Sequence, residues 1–138
     1  MKTFLQEFCD KVIALDPSIR VAMIADEDGK LIATSQRKGL KSLLTPEQRA
    51  QYAITAATRQ YTRLRWEDML GRIHYATSHY AKLTRATVPI ADENSRLSYV
   101  LLLSFDADTN VHPIIMNRIA PLVRKNTNRF LKESTGSA

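Results

Sequence analysis

Val21-Ala22-Met23-Ile24-Ala25-Asp26-Glu27-Asp28-Gly29-Lys30-Leu31-Ile32-Ala33-Thr34 is the stretch that decides the fold of this chain. Two apolar runs flank an acidic turn, and Asp28-Gly29 supplies the residue that accepts positive φ in a tight connection. The pattern predicts an antiparallel hairpin. Its first strand, residues 19–25, is apolar on both faces except at Arg20, as in a strand at the middle of a covered sheet. Upstream, Phe4, Leu5, Phe8, Val12 and Leu15 recur at helical spacing behind Thr3 and Gln6, spaced as a capping box. Asp16-Pro17 ends that helix, because proline drives its predecessor out of helical geometry.

Downstream, a loop over 35–44 is expected to tuck Leu40, Leu43 and Leu44 inward. Thr45-Pro46-Glu47-Gln48 then starts a second helix, with a capping threonine, proline in the first turn and a glutamine to close the box. Ala50, Ala53, Ile54, Ala57, Tyr61 and Leu64 make its apolar face, and the helix is expected to reach Leu70 with Gly71 as its left-handed terminus. Residues 73–80, 83–90 and 97–105 read as three further strands with short antiparallel connections. The run over 97–105 is apolar on both faces and belongs beside the first strand. A last helix follows Asp106–Asn110, with Val111, Ile115, Ile119, Leu122, Asn126 and Phe130 inward and a kink or break at Pro121. The order α-β-β-α-β-β-β-α gives an α/β fold of the α+β type: a single antiparallel five-stranded sheet with helices on both faces. One domain over 1–132 and a disordered tail over 133–138 are expected.

The 138 residues carry a net charge of +6, unevenly placed. Residues 37–91 hold ten basic and three acidic side chains, and 113–138 hold five and one. Such a field attracts nucleic acid, anionic lipid or an acidic protein surface. The lone Cys9 excludes an intramolecular disulfide, and no apolar run reaches the ~18 residues of a membrane span. The opening residues lack an apolar core of the secretory type, which leaves a cytoplasmic location as the expectation.

No constellation of catalytic residues emerges, so neither an enzyme nor a cofactor is expected. His74 and His79 lie on opposite faces of one expected strand and cannot share a metal ion. Cys9, at the edge of an apolar helix stripe, reads as a small core residue. Asp26, Glu27 and Asp28 are ordinary turn formers, and Glu67-Asp68 reads as a solvated helix face. Trp66 is expected to pack on the body. The five tyrosines are scattered over different faces, so they form no platform for stacking bases.

On its element order, and on the stretches 21–33 and 97–105, the chain resembles the roadblock/dynein light chain superfamily over residues 4–132. It is also similar to profilin-like and longin domains and to an archaeal roadblock-like group. The resemblance implies a sheet with the second helix on one face and the terminal helices on the other. It also implies dimers that pair second helices and join strands, and roles as non-enzymatic regulators or scaffolds of small GTPases. The long basic connection between Arg63 and Arg72 and the split last helix depart from that pattern.

Two surfaces are expected from the helices. Tyr52, Ala56, Arg59 and Arg63, opposite the apolar face of the second helix, form the expected homodimer interface, with Tyr52 stacking on an arginine. Arg118, Lys125, Arg129 and Lys132 share a flank of the last helix as a basic patch if Pro121 only kinks it. The leading functional expectation is a dimeric interaction module for a small GTPase or signalling complex. A basic nucleic-acid-associated protein, marked by steep salt dependence, and a profilin- or PAS-like ligand-sensing domain with a pocket between sheet and helix are the alternatives.

Overall fold

The computed structural model describes residues 2–94 and 96–136. Helix α1 (Phe4–Ile13) leads into strands β1 (Ile19–Asp26) and β2 (Leu31–Gln36), then helix α2 (Pro46–Leu64) and a single turn, α3 (Glu67–Leu70). Strands β3 (Ala76–His79), β4 (Leu83–Ala91) and β5 (Leu97–Asp106) follow. A C-terminal rod is assembled from α4 (Val111–Ile114), a π-helical turn (Ile115–Ile119), α5 (Ala120–Lys125) and α6 (Thr127–Gly136). The five strands form one sheet in the order β2-β1-β5-β4-β3, antiparallel throughout. β5 is central and pairs with β1 from Ile19↔Phe105 to Asp26↔Tyr99, the adjacency expected from their shared two-faced apolarity.

Two cores lie on the two faces of that sheet. On one, Phe4, Phe8, Cys9 and Val12 of α1 and Ile115, Ile119 and Phe130 of the rod cover Ile24, Leu101, Leu103 and Phe105. Burial pushes the Cys9 thiol up to about 12, which keeps it protonated and inert. On the other face, Ala53, Ala56 and Ala57 of α2 meet Val21, Met23, Ala25, Val100 and Leu102. Alanines let this helix approach the sheet closely, and the second core is accordingly thin.

The helix starts follow the sequence. Thr45 Oγ1 accepts from the Gln48 amide at 3.1 Å, and Gln48 Oε1 accepts from the Thr45 amide at 2.9 Å, a complete capping box. The α1 box is half made. Thr3 Oγ1 accepts from the Gln6 amide, but the Gln6 side chain reaches Asp10 and the Thr34 carbonyl instead, so it ties α1 to β2.

Five expectations are corrected. The second helix stops at Leu64, and α3 forms a separate turn ending at Gly71 (φ 89°). Its first residue follows Trp66, which is exposed rather than packed on the body. The third strand is shorter than 73–80, beginning only at Ala76. In the last helix the accommodation of Pro121 comes before the proline: the Ala120 amide donates to the Ile115 carbonyl, five residues back. That wider turn takes up the bond Pro121 cannot make and its ring's clash with the preceding turn. Finally, α6 continues through Glu133 and Ser134 to Gly136, where a disordered tail was expected; Ser137 and Ala138 lie outside the described residues.

Gln60 lies wholly buried under α2, and neither its amide oxygen nor its nitrogen has a hydrogen-bond partner among the described residues. A buried unpaired polar group costs about 1–3 kcal/mol. Gln60→Met keeps the volume and removes both unpaired atoms. It should therefore raise unfolding stability by about 1–3 kcal/mol, read as a higher urea midpoint at unchanged slope.

Candidate functional site

The outward side of α2 carries exposed apolar and cationic side chains, and the β3 edge pairs with no strand among the described residues. The inward face of α2 is centred on Ala53, Ala56, Ala57 and Gln60. At 100° per residue this is rolled about 60° from the face expected from the sequence. Two consequences correct the expected interface. Ala56 is buried against the sheet and presents nothing to a partner, while Ile54 and Tyr61, expected inward, are exposed. The roll has a visible cause: the hairpin turn at Gly29 closes directly on the α2 backbone, leaving no room for a side chain between them.

The roll also sorts the remaining residues. Ile54 and Tyr61 lie toward the β1–β2 hairpin, where burial and the acids Glu27, Asp28 and Asp26 hold the Tyr61 hydroxyl above its usual range. Tyr52, Arg59 and Arg63 fall on the opposite flank, toward β4. The Arg85 guanidinium of β4 lies 3.7 Å from the centre of the Tyr52 ring. The arginine stacking expected of Tyr52 is thus made within the chain. Arg59 is exposed and Arg63 half-buried.

Beyond that flank, β3 closes the sheet, and its outer side pairs with no strand among the described residues. The Tyr80 amide donates to the Leu83 carbonyl across the β3–β4 turn. Because bonded and non-bonded pairs alternate in an antiparallel ladder, Ser78 and Ala76 bond inward to β4. Thr77 and His79 therefore aim their backbone groups outward. The opposite edge, β2, is better covered: α1 packs on it and Gln6 reaches its Thr34 carbonyl.

Two members of the expected basic patch contact α1 or the turn that follows it. Arg118 donates to the Leu15 carbonyl at 2.6 Å and stands 3.5 Å from Asp16, whereas Arg129 lies over the Phe4 ring at 4.3 Å. These anchors are at opposite ends of α1, roughly 15 Å apart. Arg118 lies in the π turn, Lys125 in α5, and Arg129 and Lys132 in α6.

His74 precedes β3 rather than sharing that strand with His79. His79 lies beside Thr84 Oγ1 in β4, while His112 meets the Tyr75 hydroxyl on the rod side. No group of three His, Cys, Asp or Glu side chains among the described residues could hold a metal ion. No helix among them is long and apolar enough to cross a membrane.

Trp66, the N-cap of α3, and Met69 and Leu70 within it are exposed apolar residues that the sequence reading missed. Their signal was the absence of any apolar residue between Leu70 and Ile73 with which a buried turn could share a core.

This arrangement of sheet and helices matches solved structures along nearly its whole length. Myxococcus xanthus MglB has a TM-score of 0.69 at 18% identity, covering 94% of this chain and 97% of that one. The Roadblock/LC7 domain from Streptomyces avermitilis has a TM-score of 0.70 at 11% identity, covering 94% and 99%. The fold is that of a Roadblock/LC7 domain. An MglB in a tetrameric arrangement has a TM-score of 0.68 at 14% identity, covering 97% of this chain and 95% of that one. No protein-family model and no curated protein matches the sequence. The Roadblock/LC7 likeness is therefore one of backbone architecture, carried by an apolar pattern that many side-chain choices satisfy.

Proposed function

We propose that this Roadblock/LC7-fold chain is a non-catalytic homodimeric interaction module that scaffolds or regulates a small GTPase or a signalling complex. The observation that carries the reading is the open β3 edge beside an α2 flank bearing Tyr52, Arg59 and Arg63. An unpaired strand edge is a template for another chain, and a two-fold axis beside β3 would extend the sheet across both copies. The same axis sets the two α2 helices side by side, with the bulk of Tyr52 and the cations Arg59 and Arg63 at the seam. The tetrameric MglB supports self-association as a use of this architecture. The positive charge of residues 37–91 suits an acidic surface on the further partner.

Sedimentation velocity tests the dimer. The parent chain should sediment as a dimer at micromolar concentration. Thr77→Pro removes an outward-aimed N–H that no strand of its own chain uses, and proline is tolerated on an edge. That variant should be a folded monomer, with an unchanged far-UV spectrum. A parent chain that stays monomeric at high concentration, or a Thr77→Pro variant that stays dimeric, would sink the β3-edge dimer. The regulatory reading is tested by binding of the dimer to small GTPases loaded with GDP or a GTP analogue. Binding to neither form rejects the GTPase partnership.

A further inference from the structure

Beyond the N-terminus of α2, the face of the sheet beneath that helix ends in a concentration of arginines. Arg20 of β1, Arg85 of β4 and Arg49 of α2 line one small cavity together with Ser42 and Ser104. Arg20 stands 3.5 Å from Asp106, but that carboxylate is already held bidentately by Arg37 at 2.9 and 3.0 Å. The Arg37 bonds keep the Asp106 carboxyl below its usual range. Arg49 donates only to neutral oxygens, Gln36 Oε1 at 3.0 Å and Ser42 Oγ at 2.9 Å. Arg85 rests on the Tyr52 ring, and neither it nor Arg49 meets a carboxylate among the described residues. Of these four guanidiniums only Arg37 and Arg20 meet a carboxylate, and it is the same one.

The imbalance is also desolvated. The Arg20 side chain is only 15% exposed, and its buried Nε has no partner among the described residues. Burial and the neighbouring Arg85 charge hold Arg49 below the usual arginine range. Like charges drawn out of water destabilise one another, and an anion among them relieves both the repulsion and the unpaired donor.

The shape narrows the anion. The cavity measures about 30 Å³. One water needs about 10–15 Å³, so there is room for two to three oxygens, enough for a carboxylate. Through shared walls at Leu43, Leu44, Leu83 and Arg85 the cavity adjoins an apolar groove of about 440 Å³, which Tyr52 and Tyr80 also line. That volume lies in the range of small-molecule sites.

We propose that cavity and groove together bind a small carboxylate with an apolar body. Its two oxygens sit among Arg20, Arg49 and Arg85, and its hydrocarbon part lies along Leu43, Leu44, Tyr52 and Tyr80. The site is built from residues of one copy, and its Tyr52 wall is shared with the seam of the dimer proposed above.

Titration calorimetry on the full chain tests it with octanoate, octanol and inorganic phosphate as probes. Octanoate should bind at one site per chain. Arg49→Gln and Arg85→Gln should each weaken it by about tenfold or more, since each removes a charge-assisted partner. Arg124→Gln, on the distant rod, should leave it unchanged. The side-chain Nε–H resonance of Arg20 should shift on saturation, because the unpaired donor gains an acceptor. Thermal unfolding confirms that each variant is folded. Absence of octanoate binding, or affinity untouched by both cavity substitutions, overturns the proposal. Octanol binding as tightly as octanoate also overturns it, because the arginines then read no charge. Phosphate alone binding as tightly overturns the apolar part of the assignment. Sedimentation run alongside separates these outcomes from any failure of the dimer reading.

Discussion

Phe130→Ala is expected to cost about 3–5 kcal/mol of stability in urea unfolding, the range for truncating a buried phenylalanine. Phe130 is 1% exposed and is the one residue of α6 in the core among the described residues. Its ring meets Phe4 at 5.1 Å and Phe8 at 4.8 Å, both edge-on, with Tyr99 at 6.0 Å. Edge-to-face pairs add to the burial itself, so one truncation removes a large apolar area and several ring contacts together. α6 has no other deep anchor, and the cavity left behind cannot be filled from its exposed faces. The helix should therefore come loose before the sheet does. Limited proteolysis should cut the variant after Asn126 at a concentration of protease that leaves the parent intact. A loss below about 1 kcal/mol, with no new cleavage, would mean that α6 does not depend on Phe130 for its place on the sheet.

What was legible in the sequence follows how strongly each local signal is tied to the core. The hairpin, the central β5 and the capped start of α2 were readable because turn chemistry, two-sided apolarity and a complete capping box each have few alternatives. The inward face of α2 was harder. Ala53, Ala56 and Ala57 carry little hydrophobic weight, so Ile54 and Tyr61 dominated the pattern and drew the expected face toward themselves. The close approach of Gly29 and the burial of Gln60, which place that face, are tertiary facts with no local sequence signal. The course of the last helix has a similar origin. Pro121 announces a disturbance, but whether it produces a kink, a break or a π turn depends on what Ile115 and Ile119 must reach. Arg20 was visible as one cation in an apolar strand. Its companions Arg49 and Arg85 are far from it in the chain, and only the register of β1, β5 and β4 brings the three together.

Gly29→Ala should destabilise the chain by about 2–5 kcal/mol, far more than the same change at Gly39 or Gly71. All three glycines have positive φ, at 85°, 78° and 89°. An alanine in the left-handed region costs about 1–2 kcal/mol, and at Gly39 and Gly71 a new Cβ meets nothing within 4 Å. Those two substitutions should therefore cost only that amount. At Gly29 the Cβ would stand 2.6 Å from the Ile54 Cα and 3.3 Å from the Ala53 carbonyl oxygen. Both are backbone atoms of α2, which cannot rotate aside as a side-chain tip can. Overpacking of this kind adds about 1–3 kcal/mol. The strain has one route of escape: the hairpin must lift from α2, or α2 must slide along the sheet. Either movement disturbs the thin alanine-lined core beneath, where Ala53 and Ala57 have little surface to lose before water enters. Equilibrium unfolding of the three variants side by side measures the difference. If Gly29→Ala costs no more than Gly71→Ala, the hairpin does not rest on the helix as described, and the roll of α2 that exposes Ile54 and Tyr61 loses its cause.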